Sequence, residues 1–340
     1  MFDGLGRAER VELLKANYCK NVGRAFEHFV CPILMVDEPA ELMDGHIIPA
    51  NQGLCNEWVP QRADVDSFYG SVAEADFKIA ADIIDGSLSF SDLLVARPSR
   101  APRPRLQVAG KNVDYYFPKP GAEPVPGHTV GKLHVGADQR DIAFKISDEE
   151  LFSQDEREFK VVIDHDALPE VTAALIKAAY LTLFAIEGYH CTMTAAGQLL
   201  SHILREPIVS GRGKRPGQLR VDVRKHFSKY SNMIRPVIRH DSAPFRGSVI
   251  DRRFFACLGA SGRVFAVGVL VPMKSDFFCV FLPSDQDPQL TTYTGFVNDP
   301  PPSVSTTLME AVRTTDSDPF DFEWHVSPKP TRIHLKPTVG

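Results

Sequence analysis

The chain has 340 residues, an apolar share of 44% and a formal charge of −5, which is the profile of an ordinary folded protein long enough for two domains. No run of about 18 apolar residues occurs, and Met1 to Arg7 lacks the layout of a signal peptide, so the expectation is a cytoplasmic protein with no membrane partner. Six cysteines without a C-x-x-C pair exclude a zinc ribbon and a dense disulfide framework.

From Arg7 to His28, the spacing of Val11, Leu14, Tyr18, Val22, Ala25 and Phe26 by threes and fours predicts one long amphipathic helix. Cys31 to Val36 reads as a short strand, Asp37 to Ala40 as a turn and Glu41 to Ile48 as a returning strand. Arg62 to Tyr69 can form a short helix. Prolines with interspersed arginines between residues 97 and 131 suggest a linker or surface arm.

A second folded region begins near Lys132, with strand-like runs at 133–135, 142–146 and 159–163. Leu168 to Glu187, stopped by Gly188, and Thr194 to Arg205, stopped by Pro207, read as a helical hairpin with Thr194 as an N-cap. Asp164-His165-Asp166, just before the first of these helices, reads as a cap. Three apolar, β-branched or aromatic runs at 254–258, 264–271 and 277–282 resemble an antiparallel meander, and the acidic, proline-rich tail from Asp285 reads as irregular. The expected class is α+β, with an N-terminal ββα module (1–96), a linker (97–131), a larger C-terminal domain of helical hairpin and antiparallel sheet (132–284) and a tail (285–340).

The residues with a chemical reading lie between Cys31 and Gly70. Gly45-His46-Ile47-Ile48-Pro49, then Asn56, then Arg62-Ala63-Asp64-Val65-Asp66-Ser67-Phe68-Tyr69-Gly70 resemble the HNH endonuclease (ββα-metal) family. The similarity is to the subgroup running A-H-I-x-P, then N-G-L-x-L-R-x-D-[LI]-H-x-L-F-D, and it covers some 40 residues. The resemblance implies hydrolysis of nucleic-acid phosphodiester bonds with Mg²⁺ or Mn²⁺, His46 as general base and Asn56 as its orienter. An imidazole suits deprotonation of water near neutral pH, and a hard cation suits neutralising the leaving oxygen.

The family's helix histidine falls at Asp66, whose oxygens suit Mg²⁺, and its next acidic residue falls at Gly70. Gly45 offers no ligand where many relatives have one. Strand alternation places Asp44 on the face of His46, so Asp44 and Asp66 are the expected metal ligands. Ala178 to Phe184 and Gly188 to His190 are also similar to C-terminal parts of bacterial HNH proteins.

The densest cationic segment is Gly211 to Arg220, continuing to Lys229. Its glycines and arginine forks suit phosphates, so Arg212, Lys214, Arg215 and Arg220, with Arg62 from the module, are the expected nucleic-acid contacts. Three functions remain open from sequence: an HNH-like nuclease, a catalytically degenerate HNH-like nucleic-acid-binding or docking protein, and a small-molecule or signal-binding protein with its site in the C-terminal domain.

Overall fold

The computed structural model describes residues 4–48, 57–74, 105–108, 111–119, 121, 123–135, 138–145, 159–162, 169–240, 254–272, 277–287, 289–299 and 301–335. It mixes helix with antiparallel sheet, the α+β class. The chain divides into two compact units, one of residues 1–81 with 166–340 and the other of residues 82–165. These boundaries differ from those expected, because the helical hairpin packs with the N-terminal segment as well as with the C-terminal sheet.

The first helix, α1 (Arg7–Val22), is shorter than the 7–28 periodicity predicts. Gly23 ends it in the left-handed region at φ 82°, donating its N–H back to the Cys19 carbonyl at 2.8 Å. The buried face of α1 includes Arg10 and Asn17 beside Leu14 and Tyr18. Arg10 is stacked 3.5 Å over the Trp58 ring and donates to the Trp58 carbonyl at 2.5 Å.

The expected strand at Cys31 to Val36 is instead a buried turn, with the Met35 N–H on the Cys31 carbonyl at 2.8 Å. Carbonyls in and just before it are taken by distant side chains: Tyr180 donates to Pro32 at 2.8 Å, and Tyr189 donates to Val30. These contacts occupy acceptors that a neighbouring strand would need. The hairpin forms later, from β1 (Leu42–His46) and β2 (Trp58–Arg62), antiparallel with Asp44 opposite Pro60 and His46 opposite Trp58. Helix α2 (Ala63–Tyr69) follows at once and runs into a π-helical turn, Gly70–Glu74.

The second unit is a five-stranded antiparallel sheet of β3 (Arg105–Val108), β4 (Lys111–Tyr116), β5 (Thr129–Val135), β6 (Asp138–Lys145) and β7 (Phe159–Val162), in the order β5-β6-β4-β3-β7. Much of the segment read as a linker is therefore sheet. In sequence, β3 and β4 lie between Pro104 and Pro118, and the described prolines Pro118, Pro124 and Pro126 fall in the connection between β4 and β5.

The first unit resumes with α3 (Pro169–Glu187), α4 (Tyr189–Met193) and α5 (Ala195–Ser210). Helix α3 is buried from Val171 through Leu181, as its nearly uniform apolar sequence demands, and touches α4, α5, the 70–74 turn and the C-terminal sheet. Thr194 caps α5, its hydroxyl accepting from the Gly197 N–H at 3.0 Å.

Pro207 lies inside α5 rather than ending it. A proline there leaves the carbonyl of Ile203 without its helical donor. His226, on α6 (Pro216–Phe227), places Nε2 2.8 Å from that oxygen and can donate in its place.

A 3₁₀ turn leads from α6 into a closed six-stranded antiparallel barrel of β8 (Ile234–His240), β9 (Phe254–Leu258), β10 (Val264–Pro272), β11 (Phe277–Pro283), β12 (Ser303–Arg313) and β13 (Phe322–Leu335). The order around the barrel is β8-β11-β10-β9-β12-β13 and back to β8. The expected meander is β9-β10-β11. The tail expected to be irregular contributes a short helix, α7 (Thr291–Asn298), and the two longest strands. Those strands close the barrel against β9 and β8.

Candidate functional site

On β1 every residue but Gly45 is partly exposed. Asp44 and His46 are partly exposed, whereas Gly45 between them is buried. The space beside Gly45 is filled by Gln61 of β2, whose side-chain nitrogen lies 2.2 Å from where a Cβ would stand. Gln61 is fully buried, and neither amide atom has a hydrogen-bond partner. Asp44 is engaged by Arg7, Nε to Oδ1 at 2.6 Å, and the same guanidinium donates to the Leu42 carbonyl at 2.8 Å.

On α2, Asp66 lies 3.5 Å from the ammonium of Lys177 in α3. Lys177 is 1% exposed and lies 2.6 Å from Glu74 Oε1, with the ring of Tyr69 5.4 Å away. Tyr69, fully buried, donates to the Leu204 carbonyl at 2.7 Å. Burial drives its phenol well above the usual tyrosine range. These contacts bind α2 to α3 and α5, and they set Asp66, one of the two expected metal ligands, beside a buried ammonium.

Asp44 and Asp66 are thus held by separate cations. Asn56 lies outside the described residues, as does Asp164-His165-Asp166. Among the described residues, no group of three or more His, Cys, Asp or Glu side chains is arranged to hold a metal ion. To bind Mg²⁺, either carboxylate would have to leave a side-chain cation, Arg7 for Asp44 and Lys177 for Asp66.

Arg62, expected to be a nucleic-acid contact, is largely buried. Its side chain is 8% exposed and forms a two-pronged pair with Asp64 at 3.1 and 2.9 Å, with Glu38 at 3.6 Å. That guanidinium holds the Asp64 carboxyl below its usual range. Arg212 and Arg215 are exposed, while Lys214 pairs with Asp222 at 2.6 Å and Arg220, half-buried, donates to the Ser71 carbonyl at 3.3 Å. The Arg220 bond places the start of α6 against the turn that ends α2. Arg212 is also near enough to Asp64 to help lower its pKa.

A cavity of about 510 Å³ opens between α1, the α3–α5 helices and one side of the barrel. Glu187 at the end of α3 lines it and accepts from Trp324 Nε1 of β13 at 3.1 Å. Burial pushes the Glu187 carboxyl up to about 7; the Trp324 bond opposes the rise and the nearby Asp285 carboxylate adds to it. Asp285 accepts the Ala196 N–H at 3.0 Å, at the start of α5.

Lys177 and Glu187 were not singled out from the sequence. A lone cation within an apolar helix was a usable signal for the first, since such a group requires a buried partner. No local pattern marks the second, whose surroundings come from a strand 137 residues away. No protein-family model matches the chain, and no curated protein or solved structure matches it at a significant level.

Proposed function

We propose that residues 42–69 form a divergent HNH-like ββα module that binds nucleic acid as a scaffold and does not itself hydrolyse phosphodiester bonds. The reading is carried by the approach of the cationic turn at Gly211–Arg215 to α2: Arg212 lies near enough to Asp64 to lower its pKa, and Arg220 of α6 donates to the Ser71 carbonyl in the turn that follows α2. Two segments remote in sequence thereby offer adjoining surface, and Arg212 and Arg215 face solvent, where phosphates can reach them. The order of strand, strand and helix, with His46 on the partly exposed face of β1, supports kinship with the HNH architecture.

The case against turnover rests on the carboxylates. The Arg7 pair with Asp44 is half-exposed, so a competing cation could displace it at little cost. Lys177 is not displaceable in that way, because its removal would strand Glu74 in a largely buried site. Asp66, with its side chain 22% exposed, therefore sits beside a cation that stays in place.

The test is binding of labelled duplex and single-stranded oligonucleotides across a salt titration, for the wild type and an Arg212→Ala/Arg215→Ala variant, beside a plasmid-nicking assay with Mg²⁺ or EDTA. Salt-dependent binding should lose about two from its logarithmic salt slope in the double variant. No nicking should depend on metal. Absence of binding at low salt, or an unchanged slope, would remove the proposed surface. Metal-dependent nicking that disappears in His46→Ala would restore the nuclease reading.

A further inference from the structure

We propose that the cavity between α1, α3 and the barrel binds an organic ammonium or guanidinium compound with a flat or apolar body, the cationic head pairing with Glu187. The cavity's volume of about 510 Å³ lies within the range for small-molecule sites. It is wholly within the first unit, so one folded body supplies every wall.

Its chemistry is asymmetric. Phe320, Phe322 and Trp324 form an aromatic wall, the last two edge to face at 5.5 Å, while Leu200 and Met309 add aliphatic surface. Two carboxylates, Glu187 and Asp285, also line the cavity, and neither has an ion-pair partner among the described residues. The lining cation Lys20 is turned outward, 62% exposed and 3.6 Å from Asp318. His190 is exposed. Protonation relieves the desolvated Glu187 carboxyl when the cavity holds no cation. A cationic head seated against it removes the same penalty through an ion pair, and the aromatic faces attract that charge further.

The same lining argues against anions. A phosphate or carboxylate ligand would meet two carboxylates with the single lysine already paired. The expected ligand therefore differs in sign from the polyanion proposed for the Arg212 surface, and the two sites can fail or succeed separately.

The experiment uses the full chain and three probes: tryptamine, its neutral isostere tryptophol, and agmatine as a guanidinium without a ring. Calorimetric titration measures affinity for the wild type and Glu187→Gln. The amide can still accept from Trp324 and introduces no charge, so the variant should fold, which its melting curve verifies. Tryptamine should bind the wild type at least about tenfold tighter than tryptophol, and Glu187→Gln should abolish that difference. Agmatine should bind more weakly than tryptamine and also depend on Glu187. Equal binding of tryptamine and tryptophol would show a neutral apolar pocket and overturn the proposal. So would unchanged tryptamine affinity in Glu187→Gln, or failure of both cations to bind the folded wild type.

Discussion

Gly45 stands where the HNH resemblance would call for a metal-binding side chain, and its space is occupied from the opposite strand. A Cβ on residue 45 would stand 2.2 Å from Gln61 Nε2 and 2.7 Å from Cγ, so the collision reaches well up the side chain. Gln61 is fully buried and cannot swing into solvent. Gly45→Ala should therefore destabilise the protein by about 1–3 kcal/mol in urea unfolding, the usual cost of overpacking. Gln61→Ala removes the obstacle together with an amide whose two polar atoms lack partners, so it relieves a desolvation cost while opening a small void. The double variant should then be more stable than the sum of the single effects predicts, and strict additivity would sink the account. The missing ligand at Gly45 is visible in the sequence. Its displacement by Gln61 is not, because that depends on a pairing register between residues separated by a loop.

At the level of elements, local periodicity located α3, α5 and the β9-β10-β11 meander, because those segments carry their own apolar patterns. It overextended α1 through apolar residues beyond Gly23, where a change of backbone hand ends the helix. It stopped α5 at Pro207, although His226 comes within bonding distance of the carbonyl that the proline leaves without a donor. Such a substitution by a residue 19 positions away has no local signature. Lys177 joins three elements, drawing Asp66 of α2 and Glu74 of the following turn to α3. Lys177→Met should cost about 3–5 kcal/mol, since it leaves carboxylates in a site with little water. Asp66→Asn should cost much less, as its 3.5 Å contact is longer than the 2.6 Å contact to Glu74. Equal losses in the two variants, measured by urea unfolding, would contradict this ranking.

The C-terminal segment shows why the whole molecule is harder to read than its parts. Strand β13 is largely polar and contains Pro328 and Pro330, yet it completes the barrel by pairing with β12 and with β8 nearly a hundred residues earlier. Closure removes the exposed strand edges that a free meander would present, and it sets Trp324 against the end of α3. The Glu187–Trp324 contact thus joins helix and barrel, and its proton equilibrium bears on the stability of the unit as a whole. The Glu187 carboxyl rises from 4.5 to about 7 on folding, so between these values the folded chain holds a proton that the unfolded chain has released. Stability from this group is complete below about pH 4.5 and is lost as pH rises through about 7. The loss amounts to at most about 3 kcal/mol, from 1.36 kcal/mol for each pKa unit. Glutamine cannot titrate. Urea unfolding at pH 5 and pH 8 should therefore show Glu187→Gln gaining on the wild type at the higher pH by about 2–3 kcal/mol, whatever other groups contribute to the common slope. A difference between the two proteins that stays constant with pH would mean that Glu187 is already charged and solvated in the folded state, and the desolvation argument for a cation in the cavity would lose its footing.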